Sequence, residues 1–464
     1  MEEKGKKLGL MNLVGFGAGN AIGTGIFVLL GFGIASSGRA ISLGVVIASV
    51  FMLMTSWSSI AMCNMFVFKG GDYGVKTVLF PPLVSGMSSW FTVISGLGFS
   101  SMSVSFTSYL CVVFPQLTPY STLIAFIYTV LMFAATIRGS RFLTVVENWI
   151  TAILIIALVT FVICGLPHVN FGNYFSSTYD GGYFATGFGG LIAGVSVIAY
   201  ACMGSTAGVS MAAVTENPKR NVPLSAFIVT ILLAVVYGLM AIVASGVLPF
   251  AEVAGQNISV TAKAVMPGAL FIFFVSGGGL CAIASSSLST LGSQRYPLVQ
   301  IAEDGWLPAI FKKQTKDGYP YITFGLYFIL AVLPLAMEMQ LDAIVSLVMV
   351  PLQLMNMVAC FSCIKIPKQY PEQWENRAIK FPLWLYQLCC VLGIICGGVL
   401  SYNLFMNLAP NEKILSAVSV VLLIGLSWLR IKQGAVDVKK MEANIRLSLQ
   451  MLSHWQKKTD ICLI

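Results

Sequence analysis

Polar and apolar residues in this chain are sorted into long blocks rather than mixed at helix or strand spacing. Apolar runs bounded by polar, glycine or proline punctuation predict twelve spans. They lie over roughly 9–36, 42–68, 84–113, 121–137, 142–165, 185–212, 222–248, 267–297, 320–338, 342–364, 382–406 and 412–430. Segments of about 20 apolar residues are the length that crosses a bilayer. The expected fold is therefore an all-α polytopic membrane protein with twelve transmembrane helices. The polar start "MEEKGKKLGL" predicts no cleavable leader.

Two of the runs work against their own helices. The first holds Gly15, Gly17, Gly19, Gly23 and Gly25, around "GNAIGTG", and each glycine weakens a helix interior by about 1 kcal/mol relative to alanine. The sixth holds "AYACMGSTAG" at 199–208. Broken backbone is tolerated in hydrocarbon only around a protein-lined cavity. If spans 1–5 and 6–10 form two halves, the two stretches occupy corresponding positions. Interrupted segments so placed point to a transporter site built on an inverted repeat. Small residues that merely let helices pack closely are the competing reading. The expected organisation is a cytoplasmic N-terminus at 1–8, a first repeat at 9–165, a second at 185–364, two further helices at 382–430 and a cytoplasmic tail at 431–464. The tail "AVDVKKMEANIRLSLQMLSHWQKK" has the pattern of a basic amphipathic helix lying on membrane lipid.

Composition sharpens this picture. The chain is 57% hydrophobic and 10% charged, against about 25% charged in soluble domains. With the N-terminus inside, 24 of the 27 Lys and Arg fall on the cytoplasmic side, and only Arg39, Lys263 and Lys413 fall outside. Both termini are thus expected in the cytoplasm of a cell bounded by this inner or plasma membrane. The net charge of +9 then reports topology, and nucleic acid is not the expected partner. No acid stands at mid-depth, where a proton or cation site would show itself. No nucleophile and base are spaced for catalysis, so no catalytic residue is assigned and an enzyme is not expected. Most of the eleven cysteines lie inside apolar runs, and Cys360-x-x-Cys363 lacks a second pair, so no metal site is expected. His168 and His454 receive no role. "GFGAGN" lacks the third glycine and the strand of a dinucleotide fingerprint.

Four stretches carry a family resemblance across essentially the whole chain. "IGTGIF" (22–27), "GGDYG" (70–74), "ENPKRNVP" (216–223) and "QRYPLVQIAEDGWLPAIFKK" (294–313) resemble, in order, motifs of the amino acid–polyamine–organocation superfamily of permeases. The resemblance implies a LeuT-like five-plus-five inverted repeat with two added helices, discontinuous helices 1 and 6, and alternating access. It implies that an amino acid carboxylate meets the amides and hydroxyl around Gly23, Thr24 and Gly25, at the positive end of a half-helix. Carbonyls of Ala21, Ile22, Tyr200 and Ala201 would meet the ammonium, and Tyr200 would be the gate. Cys202, Gly204, Ser205 and Thr206 take the helix-6 pocket positions. Relatives that carry cations place an acid where Thr206 stands, so a neutral zwitterion is the expected substrate. Leu154 takes the place of a helix-5 lysine found in many relatives. Ser286 and Ser287, with carbonyls of Gly19 and Ile22, match a sodium position. Coupling to Na⁺ or H⁺ and uncoupled exchange all stay open, and no other cofactor is expected. A nucleobase or other cation symporter of the same fold, or a non-transporting receptor or scaffold, are the alternatives. No feature identifies a partner subunit.

Overall fold

The computed structural model describes residues 7–23, 25–68, 70–137, 140–176, 181–315 and 318–436, and for residues 140–149, 151–152, 173 and 342 the backbone alone. Thr24 and the amphipathic tail beyond residue 436 lie outside the described residues.

The described residues are helical throughout, with one isolated parallel bridge between Leu8 and Thr215. The first part comprises α1 (Leu10–Ala21), α2 (Leu30–Ser37), α3 (Ile41–Thr55), α4 (Trp57–Met65), α5 (Gly71–Leu79), α6 (Pro82–Ile94), α7 (Phe99–Val113), α8 (Ser121–Thr136), α9 (Ser140–Gly165) and α10 (Phe171–Tyr174). The middle part continues through α11 (Gly187–Ala199), α12 (Pro218–Gly246), α13 (Phe250–Val253), α14 (Ser259–Val265), α15 (Gly268–Phe273) and α16 (Cys281–Glu303). The last comprises α17 (Tyr321–Ala336), α18 (Leu341–Cys363), α19 (Ile366–Gln369), α20 (Pro371–Glu375), α21 (Leu383–Asn407) and α22 (Pro410–Lys432). Proline near the first turn opens α6, α12 and α22, where its missing N–H costs nothing and its fixed φ favours the helix.

Among the described residues, nine helical stretches are long and apolar enough to cross a membrane, and Ile153–His168 and Tyr321–Ala336 are shorter apolar helices. One of the nine, Gly25–Thr55, turns back on itself at Gly38, whose φ of 60° suits only glycine. The chain is a polytopic helical membrane protein.

Helical geometry changes where the sequence is poorest in side chains. After α1 the backbone turns extended at Ile22 (ψ 94°) and re-enters as a π-helix over Gly25–Leu29. At the second stretch, an open break was expected within 199–208. Instead α11 ends at Ala199 and a continuous 3-10 helix runs over Tyr200–Val214. Such runs rarely exceed 3–4 residues; here the small residues of "YACMGSTAGVSMAAV" leave room for a longer one. Two further departures were not foreseen. A 3-10 turn at Ser95–Gly98 separates α6 from α7, and a π-helix at Phe274–Leu280 leads into α16.

At the centre, α1 packs against the long 3-10 helix, α12 and α16. The end of the bundle that carries Asn257 is closed over this centre. Tyr109 donates its hydroxyl to the Phe27 carbonyl (2.7 Å), and Phe27 meets the Tyr109 and Phe274 rings at 5.6 Å each. The amide of Ile258 donates to the same carbonyl, and that of Gly255 to Gly31. The opposite end carries Leu8, Asp72 and Asp304.

Candidate functional site

The two geometrically altered segments touch backbone to backbone. A Cβ built on Gly25 would stand 2.3 Å from the Ala201 Cβ and 2.4 Å from its Cα. One built on Gly204 would stand 2.3 Å from the Ala21 nitrogen. Only glycine permits this approach, so the two segments meet here with no side chain between them.

Beside this contact lies a cavity of about 230 Å³. Gly25, Tyr200 and Ala201 stand at its upper part, and it runs past Asn20, Ala21 and Gly204 toward Asp72, Tyr73 and Pro297 at the Leu8 end. From the 3-10 helix it is lined by Tyr200, Ala201, Met203, Gly204, Thr206, Ala207, Val209 and Ser210. Cys202, Ser205 and Gly208 are skipped. That is the signature of 3.0 residues per turn, in which residues i and i+3 eclipse and one stripe in three faces away.

The expected site residues therefore divide. Ala21, Gly25, Tyr200, Ala201, Gly204 and Ser286 line the cavity, as does Thr206. Cys202 does not reach it: the thiol is buried, 3.4 Å from the Ser49 hydroxyl on α3. Ile22, Gly23, Gly19 and Ser287 are buried beside the cavity and do not line it. Gly23 lies directly against Ser286, since a Cβ there would stand 2.5 Å from the serine hydroxyl. Thr24 lies outside the described residues. Leu154 is fully buried.

The two serines behave differently. Ser287 donates back to the Ile283 carbonyl (2.7 Å) and lies 2.8 Å from the Tyr128 hydroxyl. Its proton is thus committed within the protein, as serines in membrane helices often are, while the oxygen keeps lone pairs. Ser286 makes only a long contact to the Met102 sulfur (4.0 Å).

Tyr237 on α12 was missed. Its hydroxyl donates to the Ala21 carbonyl (2.8 Å) and lies 3.5 Å from that of Ala201, tying the two altered segments together. A tyrosine deep in an apolar run was the available signal, because a buried phenol needs a partner. Tyr200, the expected gate, is half-buried with its hydroxyl 3.2 Å from that of Ser101 on α7.

Among the described residues lining the cavity, Asp72 is the only charged one. Ser59 donates to its Oδ1, and Lys76 holds its Oδ2 at 2.6 Å. Burial works against the Asp72 charge. The charge and hydrogen bond of Lys76 and the bond from Ser59 outweigh it, so this carboxyl lies below its ordinary range.

Comparison with known proteins fits this geometry. Residues 8–427 match the family described as amino acid permease. The chain belongs to the amino acid permease family. The permease is 22% identical over 442 residues to the branched-chain amino acid permease BcaP of Bacillus subtilis, covering 91% of each chain. It is 25% identical over 450 residues to the D-serine/D-alanine/glycine transporter of Escherichia coli K12, covering 91% of this chain and 93% of that one. A vacuolar cationic amino acid transporter of Arabidopsis thaliana is 23% identical over 331 residues, or 66% of this chain and 54% of its own. These relatives are permeases and transporters, and the chain is a transporter of amino acids, not an enzyme.

Proposed function

We propose that this permease carries neutral, zwitterionic amino acids across the cell membrane by alternating access. One observation supports this above the others. The altered stretches of α1 and of the 3-10 helix meet backbone to backbone beside a cavity in which the one charged residue among the described lining, Asp72, is already neutralised by Lys76. A ligand bearing both charges suits such a place. Its carboxylate takes backbone N–H groups around Gly25 and the hydroxyl of Thr24, and its ammonium takes carbonyls at Ala21, Tyr200 and Ala201. No buried side-chain charge is then required. The relatives named for branched-chain amino acids and for D-serine, D-alanine and glycine cover nearly the whole chain, which supports a neutral substrate.

In this reading twelve crossings form two inverted five-helix halves, 9–165 and 185–364, followed by two helices, with both termini in the cytoplasm. The Leu8 end is then cytoplasmic, so the cavity faces inward while Tyr109, Phe27 and Phe274 close the outside. Tyr200 gates the site during exchange of sides. Purified permease in liposomes, offered each of the twenty labelled amino acids with and without a sodium gradient, tests the proposal. Exchange of neutral amino acids is the expected result, and its response to the gradient reports whether sodium is coupled. Exchange restricted to cationic amino acids, or none at all, refutes it.

A further inference from the structure

The polar lining of the cavity extends beyond the two altered helices. Toward the Leu8 end it includes Ser56, at the joint between α3 and α4, and Asn356 on α18. Ser56 is 7% and Asn356 6% exposed, and neither side chain has a hydrogen-bond partner among the described residues. Their polar atoms open onto the cavity, where they pair with a ligand or with water.

The neighbourhood adds a complementary group. Ser59, one turn beyond Ser56, donates to Asp72, whose side chain is 44% exposed. An ionised carboxylate has about four acceptor positions, and Ser59 and Lys76 occupy two of them. One turn before Asn356, Gln353 donates to the Met52 sulfur (3.2 Å) and keeps its Oε1 unpaired. That contact sets this face of α18 against the Met52–Ser56 turn.

We propose that Ser56, Asn356 and Asp72 form a second, inner site for a neutral amino acid, occupied between the central site and the cytoplasm. The inference rests on the transport reading above. The Asn356 amide and the Ser56 hydroxyl donate to the carboxylate, and Asp72 accepts from the ammonium. Because Lys76 offsets Asp72, the site is neutral overall and matches a ligand that is neutral overall.

Exchange in liposomes with the permease in one known orientation tests this, with labelled L-alanine, L-serine and L-leucine as probes and the apparent KM read separately on each side. Asn356→Leu is expected to raise the cytoplasmic-side KM about tenfold, the loss of one bond to a charged group, and to leave the outer-side KM within about twofold. Ser56→Ala should act in the same direction, and Asn356→Gln should restore part of the loss. Should Asn356→Leu fail to fold, Asn356→Ser carries the same test. Equal rises on both sides place Asn356 in the central site, and unchanged KM on both sides leaves water as the occupant; either result overturns the inner site. Wild-type liposomes that exchange no amino acid overturn the transport reading, and the inner site with it.

Discussion

Replacing Gly204 by alanine perturbs the site at its narrowest point. The added methyl would stand 2.3 Å from the Ala21 nitrogen and 2.5 Å from its Cα and Cβ, all on the facing chain. Backbone cannot step aside as a flexible side chain can. Restoring an ordinary 3.4 Å contact moves α1 and the 3-10 helix apart by roughly 1 Å. Overpacking of this kind costs about 1–3 kcal/mol. The larger effect is on geometry, because a binding constellation tolerates only about 0.5 Å of misplacement. Gly204→Ala should therefore cut amino acid exchange in liposomes at least tenfold while the protein still purifies as a folded species. Gly15→Ala is the control, on the same α1 but with open space around the new methyl. It should exchange normally and melt at or slightly above the wild-type temperature, since alanine is the better helix former by about 1 kcal/mol. Exchange by Gly204→Ala with wild-type rate and KM would refute the backbone-contact argument.

Other outcomes follow from the same geometry. Tyr237→Phe removes the donor to the Ala21 carbonyl and should cost about 0.5–1.5 kcal/mol, read as a several-fold rise in KM; an unchanged KM removes Tyr237 from the site. Cys202 should react slowly with a water-soluble thiol reagent, and at the same rate with saturating substrate, because its stripe of the 3-10 helix faces Ser49; fast labelling slowed by substrate would place it in the cavity after all. The folded-state pKa of Asp72 lies below the ordinary one, so its stabilisation is fully present above the usual carboxylate range and is lost only as pH falls through the lowered value. Exchange should thus show no Asp72-dependent titration between about pH 5 and 8, whereas a midpoint in that window abolished by Asp72→Asn would contradict the Lys76 pairing.

Much of this was legible in the residues. The apolar blocks mark the helices, because a segment with no water around it must satisfy its backbone internally. The glycines at 23, 25 and 204 mark where two chains approach, because no other residue leaves room. Side-chain direction was less legible. Counting at 3.6 residues per turn sets Cys202 among the pocket positions, but at 3.0 per turn it shares a stripe with Ser205 and Gly208 and turns away. The sequence does not say which helical geometry a run of small residues adopts, since that is set by the packing of α1 and α12 against it. The same limit hid the commitment of Ser287 to Ile283 and Tyr128, a matter of which neighbour lies within 3 Å. Asn356 and Ser56 were unmarked for another reason. Single polar residues in apolar runs are common, and only the cavity beside them shows that they lack partners.

In the proposed mechanism, backbone groups of two altered helices bind both ends of one zwitterion. Competition against exchange of the transported amino acid, using its decarboxylated amine and its deaminated acid, tests this most directly. Each analogue lacks one charged end and should compete about 10–100-fold more weakly, the loss of bonds to one charged group. Either analogue competing as well as the intact amino acid would contradict the claim.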